Sequence, residues 1–253
     1  MFAGLSLPAN PGMGSAFGLP FSICWRTLAS VASQWLSGSC LFAKSPFNPG
    51  PIFVPVLSAK QGKAKKAGEY KSVFACSYSD FFLPEADEWR EGAWALIRET
   101  PNLIWQLASK RTHLIPERLP ADWGDGYKNV WLGTSAELKK YLPRLDTLSK
   151  IPCVLRWLDF APLLEDLMPE LSEYIDGFGW VNVSGETGCG RVEPRPFDAQ
   201  WARNTRDLCS KKGIPFYFSH IAGWSRYPDR LLDGVTHNGV LMPKSDKTNQ
   251  EAA

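Results

Sequence analysis

The sequence predicts an α/β protein built as a parallel (β/α) barrel, partial or complete. Three observations carry that reading. Six short apolar runs recur, beginning at Val73, Leu103, Asn129, Cys153, Trp180 and Pro215, with starts 24 to 35 residues apart. Each interval has room for one helix and two loops, as strands joined by helical crossovers require. Polar residues collect where each run ends, as they do where barrel strands open onto a common mouth. The competing arrangement is a doubly wound open sheet. Its GxGxxG turn after the first strand and acidic residue ending the second are absent from this sequence.

The runs in order are VFACS, LIWQLAS, NVWLGTS, CVLRWLDF, WVNVS and PFYFSH. Their near-continuous apolarity suits strands buried on both faces. At or past their ends stand Ser77, Ser79 and Asp80; Ser109, Lys110 and Arg111; Thr134 and Ser135; Arg156 and Asp159; Ser184 and Glu186; Ser219 and His220. Two intervening segments have helical spacing. DEWREGAWALIRET (87–100) opens on acidic residues, which favour a helix N-terminus, and places Trp89, Ala93, Trp94, Leu96 and Ile97 on one face. QWARNTRDLCSKKG (200–213) places Trp201, Thr205, Leu208 and Cys209 on one face and stops at Gly213.

A chain of 253 residues, 44% hydrophobic and 21% charged, can bury one large core. A net charge of +2 is too small to argue for a nucleic-acid coat or a membrane-surface role. Six cysteines without a CxxC pair read as free thiols in a reducing, cytoplasmic setting. From Met1 to Tyr70 the sole acidic residue is Glu69, and Gly, Pro and Ser recur. Residues 1–70 therefore read as an irregular, poorly ordered N-terminal segment ending in the basic linker KQGKAKKAGEYK, 71–243 as the barrel domain and 244–253 as a disordered tail. The 21–43 stretch is broken by Arg26, Gln34 and several serines, and falls short of a membrane span.

The richest segment is VNVSGETGCGR, 181–191. Strand alternation puts Val181 and Val183 on one face, and Asn182, Ser184 and Glu186 on the other. Either that polar row climbs into a mouth, or Asn182 and Ser184 satisfy one another in a mixed core. Trp131, Trp157 and Trp180 are expected to pack under the helices, with stacking on a base as the alternative. His220 reads as a core histidine or a general base, and His237 as a turn cap or a mouth residue. Cys76, Cys153 and Cys209 read as small hydrophobes, leaving Cys189 as the thiol placed for reactivity.

Seven segments in order carry a family resemblance: SYSDFF (77–82), SKR (109–111), ADWGDGYKNVWLG (121–133), RWLDFAPLL (156–164), SGETG (184–188), PFYFSH (215–220) and LLDGVTH (231–237). From about Ser72 to Pro243 the chain resembles a phage and prophage family of unknown function, whose barrel is similar to those of radical S-adenosylmethionine enzymes. The resemblance implies a TIM-barrel-like, radical-SAM-like fold, S-adenosylmethionine, and an iron–sulfur cluster held by an N-terminal three-cysteine motif. That motif is absent: Cys24 and Cys40 stand alone. Ala161 occupies a position where the family carries Glu, and Ser219 one where it carries Lys. The expectation is a barrel without its own cluster, and no cofactor or metal is assigned.

The residues expected to act are Glu186, Lys110, Asp80 and His220 as catalytic groups, with Ser79, Arg111, Ser184, Gly185, Gly188 and Arg195 binding ligand. Lys110 and Arg111 would supply charge to a small anionic or nucleotide-like ligand, backbone N–H groups of SGETG would cradle it, and Glu186 would bind a ligand amine or hydroxyl or act as base. Alternatives are a catalytically silent binding or regulatory protein, or a relative of active members that has lost their N-terminal part. Whether the protein is an enzyme stays open. A protein partner is a further class, while net charge supports neither nucleic acid nor membrane.

Overall fold

The computed structural model describes residues 53–76, 79–188, 192–223, 230–240 and 242–243. The elements run α1 (Phe53–Ala67), β1 (Lys71–Ala75), α2 (Asp87–Glu99), β2 (Leu103–Ala108), β3 (Val130–Thr134), α3 (Pro143–Ser149), β4 (Leu155–Phe160), the single turn α4 (Leu171–Tyr174), β5 (Trp180–Ser184), α5 (Ala199–Lys212), β6 (Phe216–His220), and a short hairpin of β7 (Leu231–Leu232) and β8 (Val235–Thr236). All six expected runs are strands. They form one parallel sheet in the order β1-β2-β3-β4-β5-β6.

Sequential order with parallel pairing throughout is how a barrel winds, since crossovers of one hand keep the helices on one face. Outward-facing Val73, Leu107, Leu132, Leu158, Val181 and Phe218 share one apolar cluster with Trp94 and Ile97 of α2, Leu145 of α3 and Leu208 of α5. Full burial of such a side chain stabilises by about 1.5–3 kcal/mol, so this outer layer dominates the fold. The barrel is partial: among the described residues β1 pairs with β2 alone and the sheet does not close onto β6. The free side of β6 is covered instead by the chain after β8, where Phe218 donates to the His237 carbonyl (3.0 Å) and Gly239 to the Phe216 carbonyl (2.9 Å). Gly239 fits because a Cβ there would lie 2.6 Å from the Phe216 carbonyl oxygen.

The helix ends follow the sequence. Asp198 caps α5 by accepting from the Gln200 N–H at 2.8 Å, and Gly213 ends it at φ 68°, in the left-handed region. One segment differs from expectation. Phe53–Ala67, read as irregular chain and linker, is helix α1: Leu57 and Ala64, seven positions apart, lie on one face and are fully buried. Lys65 and Lys66 close its last turn, where the helix dipole favours cations. Lys60 donates to the Ser72 carbonyl at 2.6 Å, tying α1 to the outer edge of β1. Residues 1–52, with Cys24 and Cys40, lie outside the described residues, as do Ser77, Cys189 and 244–253. Among the described residues no helix is long and apolar enough to cross a membrane.

Candidate functional site

The inner face of the sheet differs in kind from the outer. Alternation directs Trp131 and Gly133 of β3, Trp157 and Asp159 of β4, and Trp180, Asn182 and Ser184 of β5 to the lumen, while their neighbours face the helices. The expectation that these tryptophans pack under helices is corrected: they form a second cluster with Ile104 inside the curl of the sheet. Trp157 and Trp180 stack with ring centroids 5.0 Å apart, and Phe74 and Tyr217 meet them edge-on. Gly133 makes this possible, because a Cβ there would sit 2.4 Å from the Trp157 indole. Gly133 is the register partner of Trp157, so the indole lies across the β3 position where a side chain would stand.

Above this aromatic floor lies a cavity of about 330 Å³, reached by residues of β1, β2, β4, β5 and β6. That volume is at the lower end for small-molecule sites, which span about 300–1,000 Å³. A directed relay crosses its wall. The Ser219 hydroxyl donates to Asn182 Oδ1 (3.0 Å), so the amide nitrogen of Asn182 faces Asp159 and donates to Oδ1 at 2.6 Å. The valine and polar faces of WVNVS thus fall as alternation predicts, and Asn182 pairs with Asp159 and Ser219 rather than with Ser184. Burial raises the Asp159 carboxyl to about 6, against the opposing pull of the Asn182 hydrogen bond and the more distant Lys110 charge. Two further groups point at the same space with no protein partner among the described residues: the Gln106 amide, 8% exposed, and the Ser184 hydroxyl, 4% exposed.

The residues singled out from sequence distribute over two places. Ser184 and His220 line the cavity. His220 Nε2 lies 3.0 Å from the Thr187 hydroxyl, and burial lowers its pKa below the ordinary histidine range. Asp80, Arg111, Lys110, Glu186 and Arg195 form ion-paired supports around the carboxyl ends of the strands. Asp80 accepts from the Phe82 N–H (2.9 Å) and the Ser109 hydroxyl (2.8 Å), with Arg111 3.6 Å away. Lys110 is bonded to Glu137, a buried carboxylate that also receives Ser135 and Arg144. Glu186 is clasped by Arg195 through its backbone N–H (2.8 Å) and guanidinium (2.9 Å), which hold its pKa down to about 2. A carboxylate so held is a poor proton acceptor near neutral pH.

The glycine loop is likewise engaged. Gly185 donates its N–H to the His220 carbonyl (2.8 Å), and Gly188 to that of Gly223 (3.0 Å). Neither N–H is free to cradle an anion. Gly185 is required on other grounds, since a Cβ would lie 2.2 Å from the Ala222 nitrogen. Ser79 is exposed beyond β1, and its N–H donates to the Cys76 carbonyl at 3.0 Å. His237 packs its ring edge-on against Phe216. Sequence reasoning passed over Gln106 and did not rank Asp159 or Asn182 among the acting groups. The available signal was a polar residue at alternate positions of otherwise apolar parallel strands: LIWQLA, LRWLDF and WVNVS.

The described residues do not fit an iron–sulfur cluster. No three His, Cys, Asp or Glu side chains among them come together as metal ligands. Cys76, at the end of β1, stands without a second cysteine among the described residues, and burial pushes its thiol up to about 12, away from the thiolate a cluster needs. Cys153 and Cys209 pack as apolar groups in the outer core.

A family model described as "Protein of unknown function (DUF5131)" matches residues 53–249. No curated protein matches the chain. Among solved structures it is similar to spore photoproduct lyase complexed with dinucleoside spore photoproduct, with 12% identity and a TM-score of 0.38 over 66% of this chain and 67% of that one. A doubly substituted form of that lyase with bound AdoMet and dinucleoside spore photoproduct gives 12% identity and a TM-score of 0.42, over 66% of each chain.

Proposed function

The chain belongs to the DUF5131 family, and from the geometry of its lumen we propose that it is a small-molecule-binding barrel taking a flat, nucleobase-sized ligand between the aromatic floor and the Asp159–Asn182–Ser219 relay. The observation that carries this reading is the relay itself, an oriented set of polar groups facing a cavity walled by Phe74, Trp157, Trp180 and Tyr217. A few placed polar groups in an otherwise aromatic cavity fix a ligand's orientation while apolar contact supplies most of the affinity. The anionic part of a nucleotide-like ligand belongs outside. Asp159 is the charged lining residue, and the nearby cation Lys110 is bonded to Glu137.

Isothermal titration and thermal shift with adenosine, cytidine, uridine and AMP test the reading. A ligand of the lumen raises the melting temperature by mass action, and the rise disappears in Asn182→Leu, which keeps the volume and breaks the relay. Nucleosides that bind Asn182→Leu as well as the wild type would remove the lumen as the site.

A catalytic reading is favoured by a second observation. Asp159 and His220 line the same cavity, and burial moves the carboxyl up to about 6 while moving the imidazole down. The raised carboxyl approaches neutrality and is suited to exchange a proton with a bound molecule, while the lowered imidazole stays neutral beside it. Turnover of a bound nucleoside that is lost in Asp159→Asn, with affinity kept, would distinguish an enzyme from a binder. Its free thiols are consistent with work in a reducing compartment such as the cytoplasm.

A further inference from the structure

Asp159 is a carboxylate set among protein atoms without a counter-charge. It makes one hydrogen bond, to neutral Asn182, and no ion pair among the described residues. The charged groups that act on it do so from a distance. Lys110, following β2, is engaged by Glu137, and Glu137, following β3, repels it. His220 of β6 reaches the cavity, but its Nε2 is turned to the Thr187 hydroxyl. Asp159 is half-buried at the cavity wall, and a carboxylate that has lost part of its hydration gains from a partner. The second carboxylate oxygen of Asp159 takes no hydrogen bond from the described residues.

The rest of the cavity suits a positive group. Phe74, Trp157, Trp180 and Tyr217 wall it with aromatic surface for the body of a ligand; Trp157 and Trp180 are stacked on one another, and Tyr217 already carries the Arg230 guanidinium 4.9 Å from its ring centroid, so the seat for a cation is Asp159 itself. Gln106 and Ser184, both nearly buried and without a partner among the described residues, supply oxygen acceptors on β2 and β5 for further N–H bonds. On the reading that the lumen is a ligand site, we infer that the ligand carries a nitrogen cation (an amine, amidinium or guanidinium) seated on Asp159, with Gln106 and Ser184 accepting its remaining hydrogens. The cation completes a charge pair that the protein leaves half-built, and the aromatic walls hold the body of the ligand.

The test uses three nearly isosteric probes, benzamidine, benzamide and benzoate, titrated into the full-length protein near neutral pH and followed by calorimetry and tryptophan fluorescence. Benzamidine is expected to bind about tenfold more tightly than benzamide, and benzoate more weakly than either, since the seat is a partly desolvated carboxylate with one oxygen left unbonded by the described residues. Asp159→Asn erases the preference and retains benzamide binding. Should that variant fail to fold, the wild type carries the test alone: the preference fades as Asp159 protonates below about pH 6. Equal binding of benzamidine and benzamide, or a preference that survives in Asp159→Asn, overturns the cation while leaving the lumen as a site. If none of the three binds yet a nucleoside does, the cation again falls and the lumen stands. If neither probes nor nucleosides bind, both readings fall.

Discussion

Asn182 donates to Asp159 at 2.6 Å across the β4–β5 pair, and the two are direct register partners in the parallel ladder. Register partners face the same side of the sheet, so backbone pairing sets these two side chains beside one another and leaves only their rotamers to complete the bond. It holds a carboxylate where solvation is poor. The protein accepts that cost at one position of its lumen.

The cost has a pH signature. The Asp159 carboxyl stands at about 6 in the folded protein against 3.8 ordinarily, so its charged form is disfavoured by folding. For a raised carboxyl the folded state holds the proton more tightly. Its penalty is full above about pH 6, and disappears below about pH 4. Asp159→Asn, which preserves the acceptor for Asn182, is expected to stabilise the protein by about 1–3 kcal/mol near neutral pH and by little near pH 4. Urea unfolding of both forms across that range measures the difference, and an effect independent of pH would contradict it.

Glu186 behaves in the opposite sense. Arg195 depresses its carboxyl from 4.5 to about 2, so the clasp contributes above about pH 4.5 and is lost as pH falls towards 2. Glu186 is partly exposed and Arg195 more so, which screens the pair. Glu186→Gln is therefore expected to cost about 0.5–1 kcal/mol, seen as faster amide exchange at Gly185 and Gly188 with ligand affinity in the lumen unchanged. Loss of ligand affinity on this substitution would place Glu186 in the site.

Gly133→Ala tests the aromatic floor. The added methyl meets the Trp157 indole at 2.4 Å, and the ring has Trp180 stacked against it. Overpacking of this kind costs about 1–3 kcal/mol, with a shift in tryptophan emission as the stacked pair separates. An unchanged spectrum and melting temperature would show that the floor yields without cost.

Glu137 gathers Lys110, Arg144 and Ser135 although it is only 6% exposed. Burial works to raise its pKa, but the bonds from Lys110 and its other donors outweigh that and leave it lowered. Glu137→Leu strands two cations at the strand ends and is expected to cost about 2–4 kcal/mol, whereas Lys110→Met removes an exposed partner and costs less. Melting curves of the two single variants and the double variant give the coupling.

The fold was legible because it is written in spacing. Six apolar runs, each separated by a helix's length, leave few topologies, and Val73, Leu132 and Val181 behave as outward residues of parallel strands must. The site was less legible, because an inward and an outward tryptophan look alike in sequence. Trp94 packs in the outer layer and Trp157 in the lumen. Charged residues drew attention to Glu186 and Lys110, yet pairing with Arg195 and Glu137 engages both. Those partners are nine and 27 residues away in sequence, so nothing local announces them. Gln106, unpaired among the described residues and facing the cavity, carries no charge and stands alone in an apolar run.

The chain beyond β8 sets the order in which the lumen can be completed. Trp180 donates its indole N–H to the carbonyl of Gly239, 59 residues downstream, at 2.8 Å, and Val240 supplies part of the cavity wall. On a ribosome, β1 to β5 and most of the outer core have emerged well before that carbonyl exists. The first four strands and helices α1 to α3 precede that carbonyl by about 80 residues or more, and the binding chamber is the last part of the barrel to be finished.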